Sequence, residues 1–154
     1  MRTSVDVHNR LQDLEIKHEL VALSGSVKNS ARMADLLGLE LCCVIKTLVW
    51  LADDVPVLAI IPGDRRVDPR KLKKVTRADG VRFATDDEVT AITGYLVGAT
   101  PPVGWKTGAT VCVDPSALKN DIVYATGGEP NIILKMRSAD LAAATGGTIA
   151  DIAE

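Results

Sequence analysis

Apolar positions recur along the chain with two different spacings, which predicts helices and strands in alternation. Near the amino terminus, Val7, Leu11, Leu14 and His18 follow one another at three- and four-residue steps, which predicts an amphipathic helix over residues 5–18. Further helices, each preceded by a capping residue, are predicted at 27–37, 69–75, 86–94 and 139–145. Strands are predicted at 19–23, 41–51, 55–61, 109–114, 121–125 and 131–136.

The two most apolar strands predict the centre of the fold. Residues 41–51 and 55–61 flank the turn-forming pair Asp53-Asp54, and they therefore predict an antiparallel hairpin in the middle of a sheet. Because helices and strands interleave elsewhere, we expect a mixed α/β fold rather than a doubly wound nucleotide-binding fold. Neither a GxGxxG motif nor a GxxxxGKS/T motif is present, so the sequence predicts no nucleotide cofactor.

Composition narrows the class of protein. A length of 154 residues suits a single domain, which we expect to span residues 1–154. Apolar residues make up 47% and charged residues 25%, which is typical of a globular chain and excludes intrinsic disorder. The net charge of −2 excludes a polycation that holds nucleic acid by bulk charge. Two Trp, two Tyr and one Phe are too few for the usual RNA-stacking surface.

Cysteine and histidine positions give no sign of a metal site. Cys42 and Cys43 are adjacent, Cys112 is far along the chain, and His8 and His18 have no metal-binding motif around them. The thiols are interpreted as core residues, because no basic neighbour in sequence would lower their pKa. Apolar runs are too short for a membrane span, and the charged amino terminus does not resemble a secretory signal. We therefore expect a reduced, cytoplasmic protein without a metal.

A lysine interrupts the most apolar strand. In the alternation Cys42, Val44, Lys46, Leu48 and Trp50, every other member is apolar. Lys46 must therefore lie at a sheet edge, extend toward solvent or line a polar cavity. Two interpretations stay open. The charge either protects an edge strand against aggregation, or it binds a phosphate or a developing oxyanion.

Two glycine-containing segments can bind an anion through backbone N–H groups. Residues 94–104 combine three glycines with Pro101 and Pro102, so that some positions permit close backbone approach while others are stiff. Such a loop either holds an anion or connects a helix to a strand. Gly127-Gly128 is likewise either a tight turn or a second wall of a pocket.

One segment of the chain is strongly basic. Between Arg65 and Arg77 lie seven basic residues and one acidic residue, so the segment carries +6 in a chain of net charge −2. Such a segment either contacts the phosphates of a nucleic acid or forms a solvated helix face. It is the one candidate that the sequence offers for a contact with RNA.

Several of these motifs together resemble the YbaK-like aminoacyl-tRNA editing domains, a family of freestanding deacylases and of domains inserted in bacterial prolyl-tRNA synthetases. The segment VIKTLV at 44–49 is similar to the signature strand of the family, with Lys46 as its lysine. Residues 98–102 resemble the GxxxP loop, with Gly98 and Pro102 at the two fixed positions. The resemblance covers nearly all of residues 5–154.

This resemblance implies a largely antiparallel mixed sheet flanked by helices, and hydrolysis of the ester between a wrong amino acid and the tRNA 3′ end. It implies a catalytic role for Lys46 without a metal or other cofactor, and tRNA(Pro) carrying Cys or Ala as the substrate. Prolyl-tRNA synthetase is expected as a further partner. The expected substrate-binding residues are Gly98, Ala99, Thr100, Pro101, Pro102, Gly127 and Gly128. Residues of the basic segment expected to contact tRNA are Arg66, Arg70, Lys71, Lys73 and Lys74.

Two positions depart from the family pattern. Some members carry a histidine after the Gly-Gly turn, whereas the segment here reads Glu129-Pro130-Asn131, and Leu96 replaces a usual proline. The choice of amino acid is therefore open. An alternative function is a non-catalytic adaptor that binds a tRNA end or a synthetase with the same pocket. A third is a small-molecule esterase that acts without tRNA.

Overall fold

The computed structural model describes all of residues 1–154, with five α-helices and eight β-strands. The helices are α1 (Ser4–Asp13), α2 (Ser30–Leu37), α3 (Pro69–Thr76), α4 (Asp86–Thr93) and α5 (Leu141–Thr145). The strands are β1 (His18–Ala22), β2 (Ile45–Ala52), β3 (Val55–Pro62), β4 (Val81–Phe83), β5 (Thr110–Val113), β6 (Ile122–Thr126), β7 (Ile132–Arg137) and β8 (Thr148–Ile149). None of the helices has the length and apolar character that a membrane crossing requires.

The strands form two sheets. One sheet is antiparallel with the order β1-β7-β6, and the other has the order β4-β2-β3-β5-β8. In the larger sheet, β2 is antiparallel to both β3 and β4, whereas β5 runs parallel to β3 and β8. This architecture confirms the predicted mixed, largely antiparallel α/β class, with the strands divided between two sheets.

The predicted central hairpin is present. Strands β2 and β3 pair from Ile45 opposite Pro62 to Ala52 opposite Val55, so their connection is the two-residue turn Asp53-Asp54. Both turn residues have positive φ angles, 47° and 64°. Two consecutive left-handed residues match the right-handed twist of a hairpin, and Asp tolerates that conformation better than most residues.

Three apolar clusters hold the elements together. The main core lies between the two sheets, where Ile60 of β3 and Leu134 of β7 pack with Leu11 of α1. On the other face of the larger sheet, Trp50 packs with Leu72 of α3 and with the carboxy-terminal segment. Full burial of one such side chain stabilises the fold by about 1.5–3 kcal/mol, so these contacts fix α3 against the sheet. A third cluster joins α2 to the base of β2.

The first helix is shorter than its apolar spacing predicts. It ends at Asp13 instead of residue 18, because Leu14 forms the carboxy-terminal cap and Glu15 adopts a φ of 57°. His18 then begins β1, where it pairs with Met136 of β7. The spacing of Leu14 and His18 therefore continued a helical pattern by coincidence.

Two other helices begin later than predicted. The helix expected from residue 27 begins at Ser30, because the Asn29 side chain accepts a hydrogen bond from Arg32 N–H at 2.9 Å and caps the helix there. The helix expected from residue 139 begins at Leu141, because Ser138–Asp140 forms a 3₁₀ turn. Helix α3 begins as expected, with Pro69 following its Asp68 cap.

Short elements account for the remaining differences. Leu41–Cys43 is a 3₁₀ turn, so the strand expected from residue 41 begins at Ile45. Strands β4 and β8 have three and two residues and were not predicted. Elements of this length contain no measurable periodicity, and only pairing with a neighbouring strand creates them.

Candidate active site

A cavity of about 390 Å³ opens beside the outer edge of β2. Strand β4 pairs with β2 only at residues 50–52, so residues 45–49 have no neighbouring strand on that side. Ala84 N–H donates to Val49 O at 3.0 Å and marks the end of this pairing. Thr47 lies two residues before Val49, so its backbone N–H and C=O point to the same side of β2 as those of Val49. Strand β4 ends before it reaches Thr47. The cavity occupies the place of the missing strand.

Four further segments complete the wall of this cavity. They are residues 27–33 around the start of α2, residues 83–89 from the end of β4 into α4, residues 97–100 of the glycine-rich loop, and residues 126–132 from the end of β6 to the start of β7. The charged residues in the lining are Lys28, Lys46 and Asp86, which gives two positive charges and one negative. The amino terminus of α2 adds partial positive charge, so the site favours an anionic or electron-rich ligand.

Lys46 combines two of the three positions that its sequence pattern allowed, since it lies at an open sheet edge and also in the cavity wall. Its Nζ donates to Gly63 O over a long 3.4 Å. Burial lowers the pKa of Lys46, and the positive charge of Arg66 lowers it further, while Asp64 partly opposes them. An ammonium with three donors and one long contact retains hydrogen bonds for a ligand.

The glycine-rich loop presents free donors at the same cavity. Gly98 and Thr100 line it, whereas Ala99 is buried behind the surface. Ala99 N–H donates to Leu96 O at 3.0 Å, but the N–H groups of Gly98 and Thr100 have no acceptor in the protein. Thr100 is only 6% exposed, and its hydroxyl has no hydrogen-bond partner either. Two amides and one hydroxyl are thus available to a ligand.

Two aromatic side chains hold this loop in shape. Tyr95 is fully buried and its hydroxyl donates to Gly104 O at 2.8 Å. Trp105 Nε1 donates to Pro101 O at 2.7 Å. Pro101 and Pro102 are buried, so they stiffen the loop without contacting the cavity. The cavity wall is therefore preorganised by contacts on its far side.

The Gly127-Gly128 pair lies behind the cavity, and its neighbours Thr126 and Pro130 supply the lining. A Cβ on Gly127 would come within 2.7 Å of the Ile132 side chain. Gly128 has a φ of 96°, and a Cβ there would come within 3.0 Å of the Tyr95 ring. The absence of a side chain at Gly128 lets it pack closely against Tyr95, which holds the glycine-rich loop. The contact of the glycine pair with the cavity is therefore indirect.

The basic segment covers the face of the larger sheet from which Lys46 projects. Side chains alternate along β2, so Lys46 shares its face with Trp50, which packs against α3. Arg66 is close enough to Lys46 to lower its pKa. Lys71 is engaged elsewhere, since it donates to Asp151 at 2.9 Å and to Ala153 O at 2.8 Å.

The other expected tRNA contacts on this segment are exposed and form no ion pair. They are Arg66, Arg70, Lys73 and Lys74. None of them lines the cavity. They form a basic surface beside it rather than a part of it.

Sequence reasoning missed several residues of the lining. Phe83 is the last residue of the unpredicted strand β4, Asp86 follows that strand, and Lys28 precedes α2. Their positions depend on which segments meet at the β2 edge, so no local pattern marks them. The one available signal was the single Phe in a chain with few aromatic residues.

Thiols and imidazoles lie outside this cavity. Cys112 is buried in the core, and burial raises its pKa, as expected for a structural thiol. His8 Nδ1 and His18 Nε2 are 2.9 Å apart, which joins α1 to β1. No three His, Cys, Asp or Glu side chains come together as a metal-binding group.

Together, the fold and the cavity define a small α/β domain that presents a cation and free backbone donors to a ligand. The profile of the aminoacyl-tRNA editing domain matches residues 24–144. Because this match covers more than half of the chain, the protein belongs to the family of aminoacyl-tRNA editing domains.

Relatives of known identity include proline–tRNA ligases. The enzyme of Caldicellulosiruptor bescii is 30% identical over 111 residues, which is 72% of this chain and 19% of the ligase. The enzyme of Nitratidesulfovibrio vulgaris strain Hildenborough is 38% identical over 91 residues, which is 59% of this chain and 16% of the ligase. The chain thus matches less than a fifth of the length of these ligases.

Solved structures of similar size share the whole fold. One, a hypothetical protein, superimposes with a TM-score of 0.91 at 31% identity and covers 97% of this chain and 99% of its own. Another, described as a candidate trans-editing enzyme for prolyl-tRNA synthetase, gives a TM-score of 0.90 at 28% identity. That match covers 100% of this chain and 98% of the other.

Proposed function

We propose that this protein hydrolyses the ester of mischarged tRNA in trans, with tRNA(Pro) carrying Cys or Ala as its substrate and without a metal. The observation that carries the proposal is that Lys46 and the free donors of the Gly98–Thr100 segment line one cavity. Membership of the editing-domain family and the relation to proline–tRNA ligases support the choice of substrate class.

The reaction needs a polarised carbonyl and an attacking oxygen. Water attacks the carbonyl carbon of the ester and gives up a proton, while the carbonyl oxygen acquires negative charge. The Lys46 ammonium and the amides of Gly98 and Thr100 are the donors that stabilise this charge or an adjacent phosphate. The bond to the ribose oxygen then breaks, and that oxygen takes up a proton. The products are the free amino acid and tRNA.

The protein supplies position and charge in this scheme rather than a nucleophile. Ser30, Thr47, Thr100 and Thr126 bring hydroxyl groups to the lining, but no His side chain lines the cavity to activate them. An ester is already reactive, so orientation and oxyanion stabilisation can supply much of the rate. Asp86 is the only carboxylate in the lining, which is a poor donor set for a divalent ion and supports a reaction independent of metal.

The lining suits an apolar or thiol side chain. Val27, Met33, Val44 and Ile132 make part of the wall apolar, and the free Thr100 hydroxyl adds one polar group. A small apolar or thiol side chain fits such a surface. Ala and Cys differ by one sulfur atom, and a group of the size of one methylene is worth about 1–3 kcal/mol in an apolar pocket, which limits how sharply the two are separated.

Hydrolysis of a defined panel tests this function. We would charge tRNA(Pro) with Cys, Ala, Ser and Pro, and follow loss of each ester at low salt in the presence of EDTA. The expected result is rapid loss of the Cys or Ala ester, slow loss of the Pro ester, and no effect of EDTA. The Lys46→Ala variant should lose this activity, while Lys119→Ala, an exposed lysine outside the cavity, should retain it.

Two results would contradict the proposal. Wild-type protein that binds tRNA saturably but leaves every ester intact would favour the adaptor function. Turnover of free amino acid esters at the rate of aminoacyl-tRNA would favour a small-molecule esterase. Inhibition by EDTA would remove only the claim that no metal is required.

A further inference from the structure

An exposed aromatic ring stands at the mouth of the cavity. Phe83 is 58% exposed and lines the cavity at the end of β4. It lies directly opposite Trp50 of β2, and the two rings are stacked with centroids 3.9 Å apart and an interplanar angle of 30°. Trp50 is only 4% exposed, so it supports one face of the Phe83 ring while the other face is open.

Phe83 and Lys46 project from the same face of the sheet. Lys46, Leu48 and Trp50 alternate on β2, and Phe83 is the cross-strand partner of Trp50. From Trp50 to Lys46 the strand rises about 13 Å, at roughly 3.3 Å per residue. A ligand that reaches from the ring to the ammonium must therefore be extended, with a flat apolar part at one end and an electron-rich part at the other.

Both signs of charge lie near the ring, since Asp86 lines the same cavity, but exposed cations predominate on the segment that packs on this face, and they favour a polyanion as the ligand. Arg66, Arg70, Lys73 and Lys74 are exposed on the segment that covers this face of the sheet. Arg82, next to Phe83, is engaged by Glu88 in two hydrogen bonds of 2.8 Å and 3.0 Å. A single supported ring beside unpaired cations fits a stacked base with its phosphates better than an apolar protein surface.

We propose that Phe83 is the stacking platform for the 3′-terminal base of the tRNA, and that Trp50 holds the platform in place. This inference rests on the proposed function, because it assigns one part of the same substrate. Stacking on Phe83 places the terminal base at the cavity mouth and directs its aminoacyl ester toward Lys46. One ring is enough for this purpose, so the low aromatic content of the chain does not exclude it.

Substitutions that separate aromatic stacking from apolar contact test the platform. Phe83→Leu keeps an apolar side chain without a ring face, and Phe83→Trp keeps the ring. Val55→Ala is the matched control, since Val55 is 56% exposed and does not line the cavity. Each variant would be assayed on aminoacyl-tRNA and on the same tRNA with an abasic terminal sugar.

For Phe83→Leu we expect kcat/KM on intact aminoacyl-tRNA to fall by about 5- to 150-fold, which corresponds to the 1–3 kcal/mol of one base–aromatic stack. The abasic substrate should react equally slowly with wild type and Phe83→Leu. Val55→Ala should remain within about twofold of wild type on the intact substrate, and Phe83→Trp should recover most of the activity that Phe83→Leu loses. Equal activity of Phe83→Leu and wild type, or an equal loss on both substrates, would overturn the platform.

A binding measurement keeps this inference separate from the proposed function. Uncharged acceptor-stem RNA ending in CCA, and its abasic counterpart, would be titrated against wild type and Phe83→Leu at low salt. Tighter binding of the intact RNA by wild type, lost in Phe83→Leu, supports the platform even if no ester is hydrolysed. Equal binding of both RNAs by wild type overturns it, even if Lys46-dependent hydrolysis is observed.

Discussion

Polar groups are used in opposite ways at two places in the larger sheet, after β5 and on β2. Around the carboxylate of Asp114, which is 3% exposed, the N–H groups of Ser116, Ile152 and Ala153 donate at 2.8–2.9 Å. At the edge of β2, Lys46 has one contact of 3.4 Å, and amides of the neighbouring loop have no acceptor. The hydrogen-bonding groups around Asp114 all find partners within the protein, whereas those around Lys46 do not.

This difference separates a structural polar group from one that is kept for a ligand. A buried carboxylate must be fully hydrogen-bonded, because each unmet group costs about 1–3 kcal/mol. Asp114 meets this condition and so ties the carboxy-terminal segment to β5. Donors beside an open cavity can remain unpaired because water reaches them, and a ligand can later replace that water. Substitutions should therefore affect stability at Asp114 and activity at Lys46.

The largest expected effect is at Lys46. Lys46→Met retains an unbranched apolar stem but removes the charge, and it should lower kcat/KM for ester hydrolysis by about 10²- to 10³-fold, as loss of one oxyanion donor does. Its free energy of unfolding should not fall, because burial of the ammonium is unfavourable and lowers its pKa. Deacylation kinetics and urea unfolding of the same preparation measure both. If Lys46→Met lost stability but kept normal activity, Lys46 would be a structural residue and not a group kept for a ligand.

Asp114 should show the opposite result. Asp114→Ala leaves the N–H groups of Ser116, Ile152 and Ala153 without their acceptor, so we expect a loss of about 2–4 kcal/mol in the free energy of unfolding. The kcat of the folded fraction should stay close to that of wild type, because the residue does not line the cavity. Urea denaturation and active-site-normalised turnover check the two parts. Loss of turnover with stability intact would place Asp114 in the reaction instead.

Strong acid should weaken the hydrogen-bonded cluster around Asp114. Burial raises the pKa of this carboxyl, but the hydrogen bonds from Ser116, Ile152 and Ala153 outweigh burial, so its pKa lies below the ordinary 3.8. Its contribution to stability is therefore present above pH 3.8 and is lost as the pH falls through the lower, folded pKa. Urea midpoints near neutral pH and in strong acid should show the gap between wild type and Asp114→Asn narrowing in acid. A difference in urea midpoint that does not change with pH would mean that the negative charge of Asp114 does not contribute to stability.

The smallest expected effect concerns the basic surface. Replacing Arg70, Lys73 and Lys74 by Ala should raise KM for aminoacyl-tRNA and leave kcat unchanged, because these side chains lie outside the cavity. The slope of log(kcat/KM) against log salt should become shallower by about 2–3, since each phosphate that a side chain neutralises adds roughly 0.7–0.9 to it. Lys71→Ala is the control, since Lys71 is bound to Asp151 and Ala153 and should alter stability rather than the slope. An unchanged slope in the triple variant would remove α3 from the tRNA interface.

Most of the larger elements could be predicted from local patterns. The central hairpin follows from two apolar runs around Asp53-Asp54, and α3 follows from the Asp68 cap and Pro69. The errors fall where a local signal competes with a tertiary contact. His18 continued a helical spacing but pairs with Met136 in a sheet, and α2, which was expected from residue 27, is capped by Asn29.

The candidate site was predictable only in part. Lys46, Gly98 and Thr100 line the cavity, and each stands in a motif visible along the chain. Phe83 and Asp86 line it too, but one ends and the other follows a three-residue strand that no pattern marks. Pro101, Pro102 and the Gly127-Gly128 pair lie behind the wall, where they support it from the other side.

By itself, the sequence determined the class of fold, the anomalous lysine in an apolar strand and the order of the motifs that mark an editing domain. These features depend on residues close together in the chain, through side-chain periodicity, capping and backbone restriction. Only the tertiary structure decided that β4 ends beside residue 50 and leaves the β2 edge open at Lys46. The edge is open because no strand pairs with β2 beside Lys46. Strand pairing depends on contacts between segments that are far apart in the sequence, so no local pattern predicts it.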